Sequence, residues 1–76
     1  MPTFQFMVNA ESYTTQEHIL TPIQILQIAG DDPANYYLVE IKGNHQESYQ
    51  GKPNDEIHMH QNAKFITVFM GPTPVS

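Results

Sequence analysis

The chain contains no cysteine. That excludes disulfides, a thiolate metal site and a cysteine nucleophile, and it fits a cytoplasmic location. Positive charge is scarce as well. Three lysines (Lys42, Lys52 and Lys64) stand scattered against eight Asp and Glu, for a net charge of −5. A phosphate backbone is gripped by clustered positive charge, so nucleic acid is not an expected partner. No apolar run approaches the ~18 residues of a membrane span, and no basic start leads into one as in a secretory signal, so neither is expected. Charged residues of either sign make up only 14%. Much of the surface must therefore be neutral polar or apolar, which favours contact with other protein.

What is present fits one domain of 76 residues. A chain this short buries only about 60% of its unfolded surface, which leaves little room for an enclosed active site. Phe4, Phe6 and Val8 alternate with Gln5, Met7 and Asn9, predicting a strand from about Thr3 to Asn9. Asn9 to Ser12 supplies turn residues, and "SYTTQEHIL" reads as a second strand, rich in Tyr and Thr. A helix follows over "LTPIQILQIAG". Thr21 is its N-cap, Pro22 takes the first helical position, and Gln24 completes a capping box with Thr21. Gly30 is the residue free to take positive φ just beyond the last turn. Ile23, Leu26 and Ala29 mark the apolar face, Ile25 and Ile28 widen it, and Gln24 and Gln27 point outward. At about ten residues such a helix is not stable alone and must lie on a sheet.

Asp31 to Asn35 forms a turn, and Tyr36 to Lys42 the next strand. A polar stretch broken by Gly and Pro has room for a short edge strand around Glu47 to Gln50. Glu56 to His60 alternates briefly, with Ile57 and Met59 on one side. Lys64 to Met70 is the last and most apolar strand, and the Pro-rich segment 71–76 cannot continue it. The expected architecture is α+β: a β-grasp over 1–70 with a tail over 71–76. A mixed sheet of four to five strands would carry one helix across one face, with the first and last strands at its centre.

The segments "FMVNAESYTT", "ILTPIQILQIAG", "YYLVE" and "DEIHMHQNAKFITV" occur in this order across most of the chain. Together they resemble the bacterial ubiquitin-like proteins of the multi-ubiquitin domain type. That resemblance implies a ubiquitin-like fold encoded beside E1-like, E2-like and JAB-type peptidase proteins. It implies a protein modifier joined to a target protein through its C-terminal segment, and some such operons look like antiphage defence systems. Ubiquitin-type chemistry activates a glycine, usually the second of a pair. Here there is no pair; Gly71, followed by Pro72, is the candidate processing or conjugation point. A sulfur carrier of the same fold would need the glycine pair too.

Other chemistry is thinly represented. His58 and His60 lie two apart in a strand-like run, so they share a face and could offer two metal ligands, with His45, Asp55 or Glu56 as a third. A solvated polar face opposite Ile57 and Met59 is the commoner meaning of that pattern, and no metal or cofactor is assigned. Asp31, Asp32, Asp55 and Glu56 fall in turns, where such residues are favoured anyway. Paired acid/base catalysis also needs a pocket, so no enzymatic activity is expected.

The last strand is apolar on both sides: Phe65, Thr67 and Phe69 on one, Ile66, Val68 and Met70 on the other. Tyr36 and Leu38 against Tyr37, Val39 and Ile41 repeat the pattern. A single helix covers one face only, so one set is left partly exposed. The candidate interaction surface is therefore drawn from Phe65, Ile66, Val68, Phe69 and Met70. The alternative to a modifier is a self-assembling module, forming oligomers or filaments through exposed strands and termini.

Overall fold

Eight residues of helix are held by a complete set of caps. In the computed structural model, which describes residues 3–70, α1 spans Pro22–Ala29. The Thr21 hydroxyl accepts from the Gln24 N–H at 3.3 Å, and the Gln24 side chain accepts from the Thr21 N–H at 2.9 Å. Gly30 ends the helix in the left-handed region at φ 84°, its N–H turned back to Gln27 and Leu26. Pro22, Ile25 and Leu26 are buried, Ala29 partly so, and Gln24 and Gln27 face solvent. Ile28, expected on the covered face, is exposed instead. The buried stripe runs 22, 25/26, 29, which sets residue 28 to its flank.

The strands are β1 (Phe4–Val8), β2 (Glu11–Thr15), β3 (Ile19–Leu20), β4 (Tyr36–Lys42), β5 (His45–Ser48), β6 (Ile57–His58) and β7 (Ala63–Phe69). Five of them form a mixed sheet in the order β2-β1-β7-β4-β5, and β3 pairs with β6 in a separate two-stranded sheet. The first and last strands lie side by side and parallel; β2, β4 and β5 pair antiparallel with their neighbours. One helix on a five-stranded mixed sheet with this order is consistent with a β-grasp. The core between helix and sheet holds Phe6, Val8, Ile25, Leu26, Leu38 and Phe65, closed at one end by Leu20, Ile57 and Met59.

The run expected over Glu56–His60 is a strand only at Ile57–His58, the last strand is shifted by one residue to Ala63–Phe69, and two further boundaries differ through turn chemistry. The run from Ser12 to Leu20 breaks after Thr15, whose hydroxyl accepts from the Glu17 N–H at 3.1 Å and bends the chain. The edge strand begins at His45 rather than Glu47. Lys42 pairs directly with His45 across Gly43-Asn44, and Gly43 takes φ 58°. That is the two-residue hairpin such a dipeptide favours.

Candidate interaction surface

Strand alternation sorts β7 and β4 into two faces. Ala63 and Phe65 point under the helix with Leu38 and Glu40; Lys64, Ile66 and Val68 point away with Tyr37, Val39 and Ile41. Register pairs Tyr37 with Val68, Val39 with Ile66, and Ile41 with Lys64, while β1 brings Met7 beside Lys64. Met7, Tyr37, Val39, Ile41, Ile66 and Val68 thus form a contiguous apolar stripe on the face opposite α1. Ile66 is 36% exposed, whereas Val39 at its centre is only 6% exposed, shielded by its cross-strand neighbours.

Of the proposed surface residues, Phe65 is withdrawn: at 2% exposure it is core, edge-on to Phe6 at 6.1 Å. Ile66 and Val68 lie on the open face. Phe69 has the parity of the covered face but lies 53% exposed, edge-on to Tyr36 at 5.4 Å. Met70 is exposed at the end of the strand. Gly71 lies outside the described residues.

The stripe has a distinctive electrostatic setting. Its strand-borne flanks are Gln5, Ser12, Thr14, Gln46 and Ser48, all neutral. Register puts Glu11, Glu40 and Glu47 on the other face, and Glu17, Asp31, Asp32, Asp55 and Glu56 lie outside the sheet. Lys64 is thus the single charge at a strand position of this face, in a molecule of net charge −5. Beside Lys64, Met7, Ala10, Ile41 and Ile66 enclose a shallow depression of about 260 Å³.

One wall of that depression is strained. The β1–β2 turn consists of Asn9 at φ 53° and Ala10 at φ 69°. Asn tolerates this region, but Ala does so at a cost of roughly 1 kcal/mol or more. Asn9 is further fixed by its side chain. Its Oδ1 accepts from the Thr67 N–H at 3.0 Å, and its Nδ2 donates to the Thr67 hydroxyl at 2.8 Å. Asn9 thereby extends the β1–β7 pairing beyond the end of β1. Gln61 does the same at the other end, accepting from the Gln5 N–H at 3.0 Å and donating to the Thr3 carbonyl.

The polar residue that pattern reading passed over is Glu40. Its carboxylate is buried, with Oε2 3.3 Å from His60 Nε2 and Oε1 3.9 Å from Lys42 Nζ. The Tyr49 phenol lies within electrostatic reach of it. Burial first, then the negative charges of Glu40, Glu47 and Asp55, push the Tyr49 phenol above its usual value near 10. Through His60, Glu40 ties the segment after β6 to the sheet. Its signal was available: it stands two residues after Leu38, on the covered face.

His58 and His60 are not joined to a third ligand. His58 pairs across to Ile19, and His60 turns to Glu40; among the described residues no three His, Cys, Asp or Glu cluster as metal ligands. Nor is any described helix long and apolar enough to cross a membrane. Comparison with protein-family models, with curated proteins and with solved structures finds no match to this chain.

Proposed function

We propose that the chain is a protein-recognition module of the ubiquitin-like type, acting as a bacterial protein modifier rather than an enzyme. The observation that carries this reading is the uncovered apolar stripe around Ile66, with Lys64 at its margin. An exposed patch of this kind, rimmed by neutral polar residues, marks a protein contact. The central parallel strands with a helix across one face support the ubiquitin-like form of the reading, and the sequence resemblance supports the modifier role. Its partners would be the E1-like, E2-like and JAB-type proteins and a target protein, in the cytoplasm and in some settings in antiphage defence. The segment 71–76 would be processed or joined at Gly71.

Intact-mass spectrometry of the protein from cells carrying its neighbouring genes tests the proposal. A covalent adduct, or trimming within 71–76, is expected in the wild type. Both should fall at least tenfold in Ile66→Glu, because a carboxylate in the stripe must be desolvated at the contact. A wild-type mass that stays that of the free, uncut chain would count against the modifier role.

A second reading rests on a separate observation. Both sheet edges are bare: every side chain of β5 is exposed, and β2 has no outer neighbour among the described residues. Strand edges of this kind template pairing between copies, so a self-assembling module forming oligomers or filaments is the alternative. Light scattering over a range of concentrations decides it: a mass fixed at that of one chain eliminates this reading.

A further inference from the structure

The two bare edges of the main sheet are not equivalent, and hydrogen-bond direction separates them. In β1 the Gln5 carbonyl accepts from the Asn62 N–H at 2.8 Å, and the Gln5 N–H donates to the Gln61 side chain at 3.0 Å. Just beyond β1 the Asn9 N–H donates to the Phe65 carbonyl at 3.0 Å. The backbone groups of Gln5, Met7 and Asn9 therefore point towards β7, and those of Phe4, Phe6 and Val8 towards β2. Thr15, Tyr13 and Glu11 stand opposite the latter three and point inward to meet them. The N–H and C=O of Ser12 and Thr14 are left pointing outward from the edge.

An edge with this pattern is complementary to itself. Placed antiparallel about Tyr13, two copies of β2 set Ser12 of each opposite Thr14 of the other, and each such pair exchanges two backbone bonds. Every outward group of the strand is then matched. At the centre Tyr13 meets Tyr13 of the second copy, at a position without backbone bonds, where side chains approach most closely. The ring is already backed by Phe6, stacked on it at 5.8 Å. Glu11 is the one charge on the strand, and it falls opposite Thr15 rather than opposite its own counterpart. β2 also lacks the Lys and Pro that blunt an exposed edge.

β5 fails the same comparison. The Tyr49 N–H donates to the Leu38 carbonyl at 2.8 Å, which makes Gln46 and Ser48 the outward residues of β5. Matching them about a two-fold axis sets Glu47 directly against Glu47 of the second copy, a like-charge pair that opposes association. Pairing β2 with β5 of another copy avoids that clash. It sets Tyr13 against Glu47, which Lys42 already holds at 3.4 Å, and it forgoes the aromatic pair.

We propose that β2 pairs with β2 of a second copy in a closed two-fold dimer, joining two five-stranded sheets into one. The axis stands perpendicular to the sheet. Both helices therefore lie on one side, and both Ile66 stripes lie on the other and stay open. This inference rests on the self-assembly reading and narrows it, since a two-fold contact consumes the edge that makes it and stops at the dimer.

Sedimentation equilibrium over a range of concentrations, with single-cysteine cross-linking, tests it. The wild-type mass should rise to that of two chains and no further. Thr14→Pro removes an N–H that crosses the edge but takes no part in the β1 ladder, so it should fold with an unchanged circular dichroism spectrum and associate about tenfold more weakly or less still. The chain has no cysteine of its own, so one introduced thiol reports alone. Tyr13→Cys should form a disulfide-linked dimer on mild oxidation, because the paired Cα atoms would stand about 4.5 Å apart. Glu47→Cys, equally placed on the other edge, should not. Failure of Tyr13→Cys to cross-link, or undiminished association of folded Thr14→Pro, overturns the proposed contact. A mass that climbs past two chains, or preferential cross-linking between Tyr13→Cys and Glu47→Cys chains, overturns the closed dimer and leaves self-assembly standing. A mass fixed at one chain removes both.

Discussion

Glu40 shows how one residue can tie a loop to a sheet. A carboxylate at 2% exposure costs several kcal/mol unless it is paired and hydrogen-bonded, and here His60 and Lys42 converge on it. Glu40→Ala should therefore destabilise the fold by about 1–3 kcal/mol, since it removes the partner of His60 and leaves a void where a buried side chain packed. Urea unfolding at neutral pH measures this. The raised phenol value gives a second handle. The folded state holds the Tyr49 proton more tightly than the unfolded chain does, so this contribution is complete below the usual tyrosine value near 10. It is lost as pH rises through the higher folded value. The unfolding midpoint of the wild type should thus fall above about pH 10, and fall less steeply in Tyr49→Phe. Equal slopes would show that the folded state does not raise the phenol. Ala10 poses the opposite case. Ala10→Gly should relieve the strain at φ 69° and stabilise the chain by about 0.5–1 kcal/mol. It also removes a methyl from the wall of the depression beside Lys64, so a tighter fold with weaker partner binding is expected.

At the scale of elements, α1 and β4 were legible in the sequence because their signals are local and redundant. Thr21, Pro22, Gln24 and Gly30 each mark a helix end for a separate physical reason, and all four act as expected. Thr21→Ala should cost about 1 kcal/mol and Thr21→Asp close to nothing, since aspartate caps equally well. An unchanged midpoint in Thr21→Ala would contradict the cap. The edge strand was misplaced because Gly43-Asn44 is a hairpin signal buried in a stretch that reads as generally polar. The Thr15 hydroxyl likewise competes with the sheet for the backbone and ends β2 early. Period alone could show that β7 has two apolar sides, but not which side the helix takes. That depends on β1 and β4 aligning Phe6, Leu38 and Phe65 in one layer, a tertiary fact. The same limit hid the Glu40–His60 pair, whose partners lie 20 residues apart.

For the whole molecule, the fold leaves one sheet face bare and makes its strand positions the one region of the sheet free of carboxylates. Small size is part of the reason. Residues 3–70 supply one helix and one main sheet, and no described element remains to cover Ile66 and Val68. Everything proposed for recognition rests on that face being open. Urea unfolding of Ile66→Glu beside Phe65→Glu, followed by circular dichroism, tests it most directly. The two residues are adjacent in β7 and receive the same charge. Ile66→Glu should unfold cooperatively within about 1 kcal/mol of the wild type, as expected for a surface position. Phe65→Glu should yield no cooperative transition, because an unpaired charge in the core costs more than so small a domain can offset. Loss of the fold in Ile66→Glu, or a native-like transition in Phe65→Glu, would contradict the assignment of the open face.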